Sequence, residues 1–419
     1  MKASIVTIGN EILTGHTVNT NAAYIADRLL TIGAGVVSCH TVGDEIGVIV
    51  RALKAAIKEA DVILATGGLG ATADDLTREA TAKFLGVKLR LKKDLLRKIE
   101  YRFKKRNLKM PDNNRRQGYL PQGAKAIENC VGSAPGFKVS FEGKTIYVMP
   151  GVPGEMKAMF ERRVLPEIKK RLGLKLNAGR GVTVIRKLNC FGASESQIAE
   201  EICDMCGRER SPVINFTVGY GVVTLHITAK GLSLSEAAGK ADKDVKILTK
   251  RLGNLVFGSG EEGLAEALGR CLRERRMSIA VAESCTGGLI ASELTEISGA
   301  SEYFKYGWIA YSNTAKISEL GVPARLLRRY GAVSEQAARA MAKGAREKAR
   351  ADIAIAVTGI AGPAGGSKQK PVGLVYISVE MKGLKETQRF IFSGSRDFIR
   401  RAAANTAINM ARLAILEVD

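Results

Sequence analysis

The first 170 residues of the chain alternate between two hydrophobic periods. Residues 3–8 are a short run rich in β-branched side chains, and 21–30 repeat their apolar positions at helical spacing. Residues 61–65 (Asp-Val-Ile-Leu-Ala) and 145–149 are continuous apolar runs. Short continuous runs between helical segments mark strands buried on both faces, so this part predicts an α/β domain with a mostly parallel sheet covered by helices on each side. Both runs end in glycine-rich turns, Thr66-Gly67-Gly68-Leu69-Gly70 and Pro150-Gly151-Val152-Pro153-Gly154. From about residue 175 the pattern changes. A strand at 182–188 precedes a helix opening at Ser194-Glu195-Ser196-Gln197, a serine cap followed by its glutamine partner. Strands at 213–218 and 222–229, split by Gly219-Tyr220-Gly221, and a helix starting near Ser233 or Ser235 complete a small α+β unit. A third unit alternates again. It has a helix at 262–275, strands at 278–282, 308–311, 351–357, 373–379 and 388–392, and a closing helix at 396–416. The reading divides the chain into 1–172, 173–257 and 258–419, with no internal repeat and no low-complexity segment.

Composition narrows the class. At about 150 residues per domain, 419 residues suggest two or three domains. With 46% apolar and 25% charged residues the chain is globular. No apolar run nears the roughly 18 residues that would span a bilayer. Met1-Lys2-Ala3-Ser4 runs straight into a strand pattern without a cleavable-signal layout, and seven scattered cysteines suggest reduced thiols; both lead to the expectation of a cytoplasmic protein. Net charge is +22, and residues 88–116 hold thirteen basic against three acidic residues. That segment suits an anionic partner such as nucleic acid, or else a solvated basic helix face. Its apolar positions Leu91, Leu95, Leu96, Ile99 and Phe103 need a core beneath them, and aromatics are only 5%, so a surface helix near the N-terminal cleft is expected and nucleic acid is not.

Three segments could carry chemistry. In Ala282-Glu283-Ser284-Cys285-Thr286-Gly287-Gly288 a strand ends and a helix begins, placing Ser284 where backbone N–H groups can hold an anion or an oxyanion; an ordinary helix cap reads the same way. A nucleophilic serine needs a base, and no histidine occurs in residues 227–419. Lysine is the remaining familiar partner, and Lys316, in Tyr311-Ser312-Asn313-Thr314-Ala315-Lys316, stands at the head of a short helix. A solvated surface lysine is the alternative. Thr358-Gly359-Ile360-Ala361-Gly362-Pro363 follows a buried strand, where parallel sheets bind ligands, although a plain connection would look alike. In the N-terminal unit, Gly67 and Gly68 suit close approach to phosphate. Asp74 and Asp75, read as lying in a helix's first turn, suit a divalent cation bridging phosphates, or serve the helix dipole alone. Glu11, after Gly9-Asn10, ends the first strand and can meet the same cleft. Cys203-Asp204-Met205-Cys206 is a lone pair without the context of a zinc or redox site.

In this order the motifs resemble the CinA family, the competence/damage-inducible protein A proteins, along essentially the whole chain. The N-terminal part resembles a molybdopterin-binding-type domain through Gly9-Asn10-Glu11-Ile12-Leu13, Asn19-Thr20-Asn21, the 66–75 loop, Asn114-Arg115-Arg116-Gln117, Ala134-Pro135-Gly136-Phe137 and the turn from Pro150 to Met156. The C-terminal part resembles nicotinamide-nucleotide amidohydrolase through 282–288, Tyr306-Gly307 with the Tyr311–Lys316 segment, and Thr358 to Pro363. The resemblance implies deamidation of nicotinamide mononucleotide by the C-terminal domain. It implies metal-dependent ADP-ribose pyrophosphatase activity in the N-terminal one, and a homodimer. A non-catalytic nucleotide- or pterin-binding protein, or one associated with DNA uptake, is the competing reading. Ser284 matches the family nucleophile and Lys316 its base, with Tyr311 and Thr358 at positions assigned to the site. Thr286, Gly287, Gly288, Gly359 and Gly362 are expected to hold substrate, with Arg396 or Arg400 on its phosphate. Gly9, Glu11, Gly67, Gly68, Asn114, Pro150 and Gly151 are expected at the N-terminal nucleotide site, with Asp74 and Asp75 on the metal. The chain departs from the family pattern at Asn19-Thr20-Asn21, Gly70-Ala71-Thr72 and Asn129-Cys130, all in the N-terminal domain.

Overall fold

The computed structural model describes residues 1–176 and 182–417, which fall into two compact units, Met1–Ile185 with Ala229–Lys240, and Arg186–Thr228 with Ala241–Asp419. Among the described residues no helix is long and apolar enough to cross a membrane.

The first unit is built on a six-stranded sheet in the order Gly35–Val42, Lys2–Ile8, Val62–Thr66, Lys144–Met149, Gly136–Phe141, Lys125–Ile127. The first four strands run parallel, and the last two pairings are antiparallel. The reversal comes from a two-residue hairpin at Glu142-Gly143, both at positive φ (48° and 75°), which matches the right-handed twist of its strands. Alternate residues of the central strands face opposite layers. Ile5, Leu64 and Met149 pack toward Ile25, Leu29 and Phe160, while Val6, Ile63 and Val148 pack toward Ile49, Leu53 and Ile57. Burial on both faces explains why these strands read as unbroken apolar runs. The edge strand Gly35–Val42 alternates exposed and half-buried positions, carries no such run, and is absent from the sequence reading. The basic helix Lys93–Lys105 turns Leu95, Leu96, Ile99 and Phe103 inward and leaves most of its cations in solvent.

The second unit holds most of a small sheet in the order Val213–Gly219, Val222–Gly231, Val182–Phe191, Val256–Ser259, with the expected capping box at Ser194 and Gln197. It also contains a five-stranded sheet in the order Phe304–Ile309, Ile279–Glu283, Ile353–Gly359, Leu374–Met381, Leu384–Ile391. The first three strands of the latter are parallel and the rest antiparallel. The sequence sorts its faces: Ile279, Val281, Ile353 and Ile355 meet helices Leu264–Glu274 and Arg396–Leu416, whereas Ala280, Ala282, Ala354 and Ala356 let helix Glu335–Ala349 lie close on the other side. The strand expected at 308–311 in fact occupies Phe304–Ile309, and that expected at 388–392 begins at Leu384. Both are edge strands with exposed positions, where apolar patterning is weakest.

Candidate active sites

At the C-terminal ends of the three parallel strands of the second sheet, Ser284 is the first residue beyond Ile279–Glu283. Its N–H donates to the Val357 carbonyl (3.0 Å) of the neighbouring strand, and the residue is 8% exposed. The chain then turns sharply through Gly287 and Gly288 (φ 62° and 94°) into helix Leu289–Glu296. The buried Glu283 carboxylate closes that turn by accepting the N–H groups of Gly288 (2.9 Å), Ile290 (3.2 Å) and Ala291 (2.9 Å). The left-handed backbone at position 288 favours glycine there.

Lys316 enters from the first turn of helix Asn313–Leu320, capped by Ser312, and is 1% exposed, which excludes the surface alternative. Its Nζ lies 2.9 Å from Ser284 Oγ, 2.7 Å from the Ala310 carbonyl and 3.2 Å from the Tyr311 carbonyl. Burial pushes the amine below its ordinary value of 10.5. In the uncharged form its two N–H bonds satisfy the two carbonyls and its lone pair faces the serine hydroxyl, the arrangement of a general base. The neighbouring Cys285 thiol is pushed up to about 12 by burial, so it does not compete as nucleophile.

The surrounding residues refine the sequence expectations. The Tyr311 side chain does not touch the lysine: it is 60% exposed, its hydroxyl is 3.2 Å from Arg396, and only its carbonyl meets Nζ. The N–H groups of Gly287 and Gly288, expected to face an oxyanion, are engaged by the Ser284 carbonyl and by Glu283, because the tight turn satisfies its own amides. Among the described residues no oxygen accepts from the N–H of Cys285 or Thr286, and the fully buried Thr286 Oγ1 has no partner. Thr358 is buried and donates to the Ala332 carbonyl (2.8 Å), tying a loop to its strand end, while Gly359 ends that strand. Arg400 braces the nucleophile turn through the carbonyls of Cys285 (3.2 Å) and Thr286 (2.8 Å). The exposed Arg396 joins the Gly362 carbonyl (2.7 Å) to Tyr311.

In the first unit the strand ends enclose a cavity of about 500 Å³, and Gly9, Glu11, Gly67, Gly68, Asp74, Asp75, Pro150 and Gly151 all line it. Asn114 does not; it is buried 3.4 Å from Gln117 Oε1, and Gln117 forms the wall instead. Gly67 (φ 111°) is packed so closely on the first strand that a Cβ would lie 1.9 Å from the Ile8 carbonyl. Asn21, buried on the wall, donates to the Gly151 carbonyl (2.7 Å) and leaves its Oδ1 without a partner. Asp74 and Asp75 lie in the loop before helix Thr77–Leu85, not in its first turn. The Asp75 carboxylate accepts the N–H groups of Gly70 (2.7 Å) and Thr72 (2.9 Å), which holds the chain in a loop past the glycines. Two arginines to which the sequence reading gave no role, Arg78 and the motif residue Arg116, clamp the same loop. The fully buried Arg78 reaches the carbonyls of Leu69 (2.7 Å) and Gly70 (2.8 Å), and Arg116 reaches those of Thr72 and Asp75. The only signal for Arg78 was its place just after a glycine loop, in the first turn of a helix.

The donors around this cavity are oxygens, the class that suits Mg²⁺ or Mn²⁺. Burial raises the Asp44 carboxyl above its ordinary range, and the facing charges of Glu11, Asp74 and Asp75 add to that, a repulsion that a cation would relieve. Among the described residues no three acidic, histidine or cysteine side chains converge on one point. The set therefore fits a hard cation that takes one or two carboxylates and completes its shell with phosphate oxygens and water.

Three family models match the chain: one described as the CinA C-terminal domain at 261–415, one as a probable molybdopterin binding domain at 4–170, and one as the damage-inducible protein CinA KH domain at 185–258. A protein of Caldicellulosiruptor bescii named for competence-damage induction is 41% identical over 417 residues, covering 100% of each chain. A CinA-like protein of Kosmotoga olearia is 39% identical over 416 residues, covering 99% of each. Among solved structures, the protein CinA with unknown function from Thermoplasma acidophilum is 37% identical, covering 40% of this chain and 97% of that one, at a TM-score of 0.37.

Proposed function

The chain belongs to the CinA family, and from that premise we propose that its C-terminal part hydrolyses the carboxamide of nicotinamide mononucleotide to nicotinate mononucleotide and ammonia. The observation that carries this reading is the buried contact of 2.9 Å between Lys316 Nζ and Ser284 Oγ, with both remaining directions of the amine filled by carbonyls. Ser284 Oγ attacks the carboxamide carbon as its proton passes to Lys316. The tetrahedral oxyanion is met by the N–H groups of Cys285 and Thr286. Lys316 then protonates the departing nitrogen, which leaves as ammonia, and the acyl group stays as an ester on Ser284. Water, deprotonated by the same lysine, cleaves that ester and releases the carboxylate. Arg396, exposed at the start of the last helix, is the proposed phosphate ligand, and Arg400 keeps the nucleophile turn in shape. Release of ammonia from nicotinamide mononucleotide by the purified chain tests the reading, and no release at any pH would refute it.

A pH profile gives the lysine's role a sign. Turnover needs the uncharged amine, so kcat is expected to rise with pH and to level off above the lowered Lys316 value, short of 10.5. The same shift acts on stability. Burying this lysine's charge costs stability in full below its folded value; above that value the cost is that of giving up the proton, and it fades as pH rises toward 10.5, where the unfolded chain also loses the proton. A profile that falls with pH over the neutral range would contradict the assignment.

For the first unit we propose hydrolysis of the diphosphate of ADP-ribose, on the strength of the carboxylate-lined cavity with its glycine rim and the unpartnered Asn21 Oδ1. A divalent cation would be held by Asp74 with Glu11 or Asp44, Asp75 bracing the loop. When bound it would neutralise phosphate charge and activate water. Chelation with EDTA is expected to abolish ADP-ribose hydrolysis and to leave deamidation unchanged, and Asp74→Asn is expected to reproduce that split. Hydrolysis that persists in EDTA would remove the metal from the reading.

A further inference from the structure

Beside the cavity of the first unit lies a second, of about 800 Å³, between the basic helix Lys93–Lys105 and the segment 126–135 that leaves the edge strand Lys125–Ile127. Arg97, Lys98, Arg102, Lys105 and Arg106 line it. Glu128, the one carboxylate among its lining residues, is 2.9 Å from Arg163 and so already paired. The two cavities therefore carry opposite charge: carboxylates from Glu11, Asp44, Asp74 and Glu155 in the first, guanidinium and ammonium groups in the second.

The two cavities adjoin at a single shared residue. Ser133 lines both cavities. At the preceding Gly132, a Cβ would sit 2.2 Å from the Glu155 carboxylate, on the side of the first cavity, while Arg102, on the side of the second, donates to the Gly132 carbonyl. Asn129 fixes this rim by accepting the N–H groups of Val131 (3.0 Å) and Gly132 (2.8 Å) and donating to Glu155 (2.6 Å). A nucleotide in the first cavity thus abuts an open cationic groove across Ser133.

We propose that the basic cavity is an extension of the nucleotide site that holds a phosphomonoester carried by the ligand in addition to its diphosphate. The inference rests on the nucleotide reading of the first cavity. A phosphomonoester dianion is repelled by the carboxylates of that cavity and is stabilised among the cations of the next. The unit accordingly prefers nucleotides phosphorylated on the adenosine ribose to their unphosphorylated forms.

Calorimetric titration of the full chain with ADP-ribose and with ADP-ribose 2′-phosphate, at low salt with Ca²⁺ as the divalent ion, tests this. The 2′-phosphate form is expected to bind about 10-fold more tightly, an advantage that shrinks in 0.5 M salt as charges are screened. In the double variant Lys98→Glu, Arg106→Glu its affinity should drop to that of ADP-ribose, whose own affinity stays the same. Equal binding of the two ligands by the native chain overturns the proposal alone. So does a preference that survives the double charge reversal. If neither ligand binds, the nucleotide reading falls and the proposal falls with it.

Discussion

Ser284→Ala is expected to lower kcat for deamidation by about 10⁴-fold or more, with folding and nucleotide binding nearly unchanged. Lys316→Ala should do nearly the same, and the double variant should be no worse than either single one. The physical reason is that the serine is a weak nucleophile without a base 2.9 Å away, and every proton the base moves serves the acyl transfer through that serine. Two residues acting as one unit do not lose rate additively. Ammonia release under saturating substrate, read beside the thermal stability of each variant, separates lost chemistry from lost fold. Full activity in either single variant would end the Ser-Lys assignment.

The second large effect is structural. Arg78→Met should destabilise the first unit by about 3 kcal/mol, because two carbonyls of the glycine loop lose charge-assisted bonds and stay buried. A loss of that size shifts a thermal transition of a domain of this scale by about 6–12 °C. Arg78→Lys should recover only part of it, since one ammonium cannot bridge the carbonyls of Leu69 and Gly70 as a planar fork does. Scanning calorimetry should show the fall, hydrolysis of ADP-ribose should weaken with it, and deamidation should persist below the lowered transition. An unmoved transition would mean that the loop is held by Asp75 and Arg116 without the buried clamp.

The sequence by itself determined the elements with a buried face on both sides. Strands such as Val62–Thr66 and Ile353–Gly359 are legible because every position is apolar or small, and the turns after them are legible because glycine best tolerates their left-handed backbone. Ser284 and Lys316 were legible as candidates by residue type and by the lack of histidine in the last domain. Edge strands were not, since half of their positions face water and carry no continuous pattern. Nor could the sequence say which polar groups meet. Ser284 and Lys316 stand 32 positions apart, and only the parallel pairing of Ile279–Glu283 with Phe304–Ile309 brings their segments to one sheet edge. Tertiary packing also decided that the Gly287 and Gly288 amides are engaged, that Tyr311 offers its carbonyl, and that Asp75 braces a loop. Local patterning reports burial, which each residue experiences alone. Hydrogen bonding between distant side chains depends on where the whole sheet places them, and no window of sequence contains that distance.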